Sequence, residues 1–419
     1  MRKALLLLGL VVGVGGLVLS LSCEAPTNPT ESLQDAPGQA ISVQPGQPLP
    51  TIAIVPQRPS QPYSHPNLEQ LQRLRVDGKR MVREDGTIFA WQGITAFQLL
   101  EQMTHGREDE ALAFLDWAAT QQITIVRVLA MANRLFYLDP EEGRSVLPAL
   151  LDEATKRGLY VEVVTLADTR YYDFDHISHV LQIGGICHER PSCLIEIANE
   201  PNHETQNRAL RDPAYLQRLR GLVPITVPVA LGAAHGRSDE SRAYFGGDYV
   251  TVHSDRSNDE GGWRWVRHAR EIQARRDTVH RKFVVSDEPH RKPNVPDQHL
   301  ALALLLRMYG IGDTFHCDVC RFAKIPTGSE LEALAQHQVA WTIIPDDWSD
   351  GLYTAGHLST SPVRATNPAR ILRAYSSLRG DRGYTLLIRA TDPVAQWRDD
   401  WRRTLIAHVG LTYFYEVSR

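Results

Sequence analysis

The sequence predicts an α/β fold, a (β/α)8 TIM barrel with an N-terminal β-hairpin meander and a small C-terminal β-containing module. Three observations carry that reading. Short, β-branched apolar runs alternate with amphipathic stretches eight times along the middle of the chain. Asp77-Gly78 and Asp85-Gly86, just before the first run, are hairpin turn signals. No glycine-rich phosphate loop follows the first run, which removes the usual reason to prefer a doubly wound open sheet.

The elements follow in order. Arg2 and Lys3 precede an apolar run from Ala4 to Leu21, with small residues at Ser20 and Ser22, the layout of a secretory signal over residues 1–22. The run is almost long enough to span a bilayer, so an uncleaved anchor is the alternative. Residues 23–66 read as a disordered tether, because prolines from Pro26 to Pro66 punctuate a Gln/Ser-rich stretch without apolar periodicity. The barrel is expected over 67–340. Its entry is a meander of Leu74–Val76, Arg80–Arg83 and Thr87–Trp91.

The barrel strands are expected at Gly93–Phe97, Ile123–Leu129, Tyr160–Leu166, Cys193–Asn199, Ile225–Leu231, Tyr249–His253, Lys282–Ser286 and Asp313–His316. Helices are expected between them at Arg107–Thr120, Ser145–Lys156, Ile177–Ile183, Tyr215–Leu222, Trp263–Arg276 and Gln298–Tyr309, with a weaker pattern at Asp239–Tyr244. Past about residue 338 the rhythm breaks, with a final barrel helix expected before a C-terminal module. Tyr384–Arg389 and Val409–Val417 read as strands and Trp397–Arg403 as a charged amphipathic segment, giving a module over 341–419.

Composition narrows the function classes. The chain of 419 residues carries a formal charge of -4, spread along its length. A nucleic-acid partner is not expected, since no basic face is concentrated. Arg275-Arg276 and Arg402-Arg403 read as solvated helix faces. Of the five cysteines, Cys23 follows the apolar run. Cys187, Cys193, Cys317 and Cys320 remain, an even number that suggests two disulfides in an exported protein. Free thiols are one alternative, and Cys317-x-x-Cys320 has zinc-ligand spacing. Cofactors are expected to be none. Despite 16 histidines, the first strand lacks the His-x-His of metal-dependent barrel hydrolases.

In a barrel of this kind the chemistry stands at the C-terminal strand ends. The fourth strand runs into Asn199-Glu200 and the seventh into Asp287-Glu288. Strand alternation places Glu196 and Glu200 on the inward face with Leu194, and Ile195 and Ile197 on the helix side. The same alternation sends Arg127 inward with Ile123 and Ile125, and groups Val284, Ser286 and Glu288. Paired carboxylates across one mouth are what glycoside hydrolysis needs, one protonated and one ionised.

The stretches "WQGITAF", "IVRVLA", "IEIANEPNH" and "VVSDEP" together resemble the retaining glycoside hydrolases of clan A, over roughly residues 70–340. The resemblance implies Glu200 as acid/base and Glu288 as nucleophile. It further implies that Asn199 binds a sugar hydroxyl, that Arg127 contacts the nucleophile, and that His253 lies near both carboxylates. Arg127 is expected to keep Glu288 ionised, and burial to raise Glu200. Glu162 and Glu196, also inward, are expected to pair with Arg127 or backbone donors.

Asp168, Arg170, Tyr171 and Tyr172 could line a sugar subsite or merely pack, and Trp263, Trp341 and Trp348 are stacking candidates. The chain departs from the family pattern in three places. Pro289-His290 follows the nucleophile, strand six has no tyrosine, and strand eight offers Phe315 and His316 where a tryptophan is usual. These departures motivate the alternative of a non-catalytic carbohydrate-binding or surface-scaffold protein. The N-terminus is similar to a bacterial lipoprotein signal, although Ser20 stands where a leucine is usual. This implies lipidation at Cys23, a membrane partner and a place in the cell envelope.

Overall fold

The structure is a computed structural model. It describes residues 71–235, 241–253, 263–266, 282–289, 291–349, 362–364, 373–390, 396–397 and 400–419. The described residues all fall within one compact unit, Arg58–Arg419. The expected signal, Cys23, the tether over 23–66, Arg275-Arg276 and His290 lie outside the described residues. No described helix is long and apolar enough to cross a membrane.

The first strands, β1 (Leu74–Asp77) and β2 (Arg80–Arg83), form an antiparallel hairpin across Asp77-Gly78. The expected third strand of the meander is reduced to a bridge between Val82 and Ile88. Its job is packing. Phe89 and Trp91 lie against Tyr160, Tyr249 and Phe283 and close the floor of the barrel.

Eight parallel strands build the barrel wall. They are β3 (Gln92–Thr95), β4 (Ile125–Leu129), β5 (Tyr160–Leu166), β6 (Cys193–Ala198), β7 (Val229–Ala230), β8 (Val250–His253), β9 (Val284–Glu288) and β10 (Gly312–Phe315). Their order is β7-β6-β5-β4-β3-β10-β9-β8. The (β/α)8 expectation is met, with one seam: the ladder does not join β7 to β8. There Asp248 N–H donates to the Val229 carbonyl at 2.6 Å. β7 is far shorter than the expected Ile225–Leu231, because Pro224 and Pro228 cannot donate to a ladder, and Ile225 is 89 % exposed.

The helices are α1 (Leu99–Thr104), α2 (Glu108–Thr120), α3 (Asn133–Phe136), α4 (Pro140–Lys156), α5 (His176–His188), α6 (Pro213–Arg220), α7 (Pro296–Met308) and α8 (Gly328–Ile343). The start of α4 lies five residues before the expected Ser145, at a capping box of Asp139 and Glu142 with Pro140 in the first turn. Residues 263–266 are helical, and the rest of the expected Trp263–Arg276 helix lies outside the described residues. The Asp239–Tyr244 pattern is a short 3-10 turn at Ser241–Tyr244.

Val126, Val128, Val161, Val163, Ile195 and Ile197 face this helix layer in one continuous apolar cluster. Each such buried side chain contributes about 1.5–3 kcal/mol, so this layer is the main apolar term holding the wall. The cysteines pair as Cys187–Cys193, joining the end of α5 to the start of β6, and as Cys317–Cys320, just past β10.

Beyond the barrel lie β11 (Val363–Arg364), β12 (Arg373–Arg379), β13 (Arg382–Ile388), β14 (Gln396–Trp397), β15 (Arg402–Val409) and β16 (Thr412–Ser418). Four of these form an antiparallel sheet of order β12-β13-β16-β15. The expected single strand Val409–Val417 is two strands joined at Gly410-Leu411, and exposed Arg402-Arg403 open a strand rather than cover a helix. Leu386, Ile388 and Phe414 share a core with α7. That explains why α7 is apolar on nearly every side: the barrel covers one face and the sheet another.

Candidate active site

Arg127, the central residue of β4, organises the interior above the floor. It is 1 % exposed. Its Nε and Nη2 donate to Glu196 Oε2 at 3.0 and 2.7 Å, and its Nη1 donates to Glu288 Oε1 at 2.9 Å. Nη2 also donates to Asn199 Oδ1 at 2.9 Å. Asp287 Oδ2 and Glu162 Oε2 lie 3.4 and 3.7 Å from Nε, and the guanidinium sits 5.1 Å from the Phe97 ring centroid.

One fork cannot neutralise so many carboxylates. Burial accordingly raises Glu196 to about 7, against the pull of Arg127. Burial, reinforced by the charge of Glu196, raises Glu162 well above the ordinary range. Tyr249 donates to Glu162 Oε1 at 2.7 Å. Both glutamates hold the positions expected of them beside Arg127.

Asn199 and Glu200 are adjacent, yet both reach the mouth. Strict alternation forbids that. β6 ends at Ala198, and Glu200 adopts φ 45°, a left-handed backbone costly for a residue with a side chain. The inward aim of Glu200 therefore comes from this turn rather than from strand parity.

A similar correction applies to β9. Val285 lies on the barrel floor and Val284 in the helix layer, so the expected inward grouping of Val284, Ser286 and Glu288 is inverted. A register shift against β8 pairs Val252 with Ser286 and His253 with Glu288. This bulge lets Asp287 and Glu288 both approach Arg127.

His253, at the end of β8, is where it was expected. Its Nδ1 is 2.9 Å from Glu200 Oε1, and its Nε2 is 3.5 Å from Asp287 Oδ1 and 3.7 Å from Glu288 Oε1. Burial opposes its protonation, but Glu288 and Asp287 outweigh burial and hold it well above the ordinary histidine range. Glu200 goes the other way. Burial would raise it, but hydrogen bonds from His235 and His253 hold it below the ordinary carboxylate range. The expectation of a raised Glu200 is thus overturned.

Two further histidines, absent from the sequence-derived roles, stand here. His235, past β7, places Nδ1 2.9 Å from Glu200 Oε1. His316, past β10, bonds Thr95 Oγ1 at 2.9 Å and lies 4.0 Å from Glu288 Oε2. Inward His316 beside outward Phe315 was the one signal for the latter.

The remaining expectations divide. Asp168 is buried and accepts from the backbone of Arg134 and Leu135 in α3, so it ties the loop after β5 to that helix. Trp263 packs in the helix layer with Val250 and Val252 and is not brought to the carboxylates. Trp341 donates to Asp313, which faces the helices, and Trp348 packs on Tyr384 of the C-terminal sheet. Tyr171, after β5, is 46 % exposed, and the Arg134 and Arg170 guanidiniums lie 4.5 and 5.6 Å from its ring centroid.

No protein-family model matches the chain, and no curated protein matches it. Solved structures do. A glycoside hydrolase family 5 mannosidase from Rhizomucor miehei is 13 % identical, covering 58 % of this chain and 85 % of its own, with a TM-score of 0.47. A β-glucanase from Saccharophagus degradans in complex with cellotetraose is 12 % identical, covering 65 % and 95 %, with a TM-score of 0.48. A β-mannanase from Thermomonospora fusca in complex with mannohexaose is 16 % identical, covering 63 % and 88 %, with a TM-score of 0.44.

Proposed function

We propose that the chain is a retaining glycoside hydrolase acting on O-glycosidic bonds, with Glu288 as nucleophile and Glu200 as acid/base. One observation carries the reading: donor atoms of Glu200, His253 and Glu288 all lie within 4.8 Å of one another. Retaining enzymes hold their carboxyl groups about 5–5.5 Å apart, whereas inverting ones need about 6.5–9.5 Å for a water.

In the proposed reaction Glu288, aimed by Arg127, attacks the anomeric carbon while the bond to the leaving oxygen breaks. The proton for that oxygen comes from the Glu200–His253 pair. It rests on His253 and reaches the leaving oxygen through Glu200. Water then opens the glycosyl–Glu288 ester and returns its proton to Glu200. Asn199, next to Glu200 in the chain and held by Arg127, is the proposed contact for the sugar. The signal-like N-terminus supports an exported protein, lipid-anchored through Cys23.

The ionised resting state of Glu200 favours a second reading, a barrel that binds carbohydrate without cleaving it. Turnover on a panel of aryl glycosides separates the two. Glu200→Gln and Glu288→Gln are each expected to lower kcat by about 10²- to 10⁴-fold. Wild-type turnover in both variants rejects the assignment. A wild type that binds glycans yet leaves them intact, and is not labelled at Glu288 by a mechanism-based inhibitor, establishes the second reading.

A further inference from the structure

The turn after β6 carries a second donor set on the solvent side of Glu200. The carbonyl of Glu200 accepts from the amide of His203 at 2.8 Å, which closes the turn. His235 arrives from the segment after β7. Asn202 clamps it, donating to the His235 carbonyl at 3.1 Å and accepting from its amide at 2.7 Å. The His203 and His235 rings meet edge to face with centroids 4.5 Å apart. One donor atom from each of Glu200, His203 and His235 lies within 4.8 Å of the others.

We propose that Glu200, His203 and His235 bind a single zinc ion, and that the bound ion withholds Glu200 from catalysis. The binding half stands alone; the inhibitory half rests on the function proposed above. Two imidazoles and a carboxylate suit a borderline cation such as zinc, whereas calcium and magnesium take oxygen ligands. Zinc–ligand bonds of about 2.0–2.2 Å put tetrahedral donors roughly 3.4 Å apart. Glu200 Oε1 and His235 Nδ1 already stand 2.9 Å apart, so the main adjustment falls on the His203 side chain.

His203 Nδ1 lies 2.9 Å from Thr205 Oγ1 and accepts from the Thr205 amide at 3.3 Å; ligation through Nε2 moves the ring proton to Nδ1, which then donates to Thr205 Oγ1 and orients the ring. The His235 side chain is 50 % exposed and that of Glu200 is 13 % exposed, which gives the ion an entry path and a water its fourth position. Two other donor triads, Glu196–His253–Asp287 and Glu200–His253–Glu288, are mostly buried and lack the open approach that exposed His235 gives the first. On binding, zinc replaces the proton between His235 and Glu200, and that proton leaves to solvent.

Calorimetric titration of the full chain with zinc chloride tests the site, with cobalt chloride as a spectroscopic probe. A single saturable ion and visible cobalt bands are expected. His203→Ala is expected to lose the bands and weaken zinc by about 10- to 100-fold or more, the loss that even an outer-shell partner causes. His235→Asn is expected to do the same, and His408→Ala, an exposed histidine of β15, to bind like wild type. Equal zinc affinity in wild type and both ligand variants, or no saturable binding in wild type, overturns the site.

Zinc is also expected to slow glycoside turnover of wild type, reversibly with a chelator, and to spare that of His203→Ala. Zinc bound through His203 without slowing an active wild type overturns the inhibitory half. Zinc bound through His203 in a chain with no turnover at all supports the site and removes the hydrolase reading instead.

Discussion

His253 and Glu200 share one contact; Glu288 and Asp287, with a smaller share from Glu200, hold His253 charged, and His235 with His253 holds Glu200 charged. The signs fix a pH window. Glu200 is lowered, so its share of stability is present above the ordinary carboxylate pKa and lost as pH falls through its folded value. His253 is raised, so its share is present below about 6.5 and lost as pH rises through its folded value. The pair is therefore intact across neutrality and into the alkaline range. In His253→Gln the catalytic proton has to reside on Glu200 itself. The alkaline limb of the kcat/KM profile is expected to move to lower pH, and an unmoved limb excludes His253 as the proton's resting place. Arg127→Met leaves several buried carboxylates without their cation. A loss of about 3–5 kcal/mol is expected in urea unfolding, and a loss under 1 kcal/mol argues against Arg127 as the organising charge. At this scale identity was legible and state was not. Arg127 and Glu196 follow from alternation out of Ile125 and Leu194. The charge of Glu200 does not, because His235 lies 35 residues further on and nothing local in "LGAAHG" ties it to a carboxylate.

Among the elements, the segment after β7 depends on one glycine. Gly232 has φ 131°, and a Cβ there would strike the Ala198 carbonyl oxygen and crowd the Pro201 ring. That close passage lays the His235 segment along the turn of Glu200. Gly232→Ala is expected to cost more than about 1 kcal/mol in thermal unfolding and to lower activity by displacing His235. A fully stable, fully active variant means that the approach is not needed. The strands and helices were legible where one period ran unbroken, as in Tyr160–Leu166, whose bounds match β5. They were misread where short-range chemistry competed. Pro224 and Pro228 cut the fifth strand down, Asp139 and Glu142 opened α4 early, and a bulge against β8 inverted the parity of β9. Each of these acts on one or two backbone groups, which an apolar pattern averages away.

For the molecule as a whole, the barrel is a sheet whose two edges approach without zipping. β7 bonds β6, β8 bonds β9, and Asp248 N–H reaches Val229 across the gap. Local opening is expected there first, since few backbone bonds resist it. In native-state hydrogen exchange the amides of Val229 and Asp248 should lose protection at lower denaturant than those of Val163 and Ile195. Simultaneous loss of all four means that the wall opens as a unit. The seam also bears on the site. His235 follows one edge strand and His253 ends the other, and both grip the same oxygen of Glu200. That single carboxylate is a clasp across the opening. Breathing of the barrel and the charge on Glu200 are thus thermodynamically linked, and Glu200→Gln should quicken exchange at Val229 while leaving Val163 unchanged.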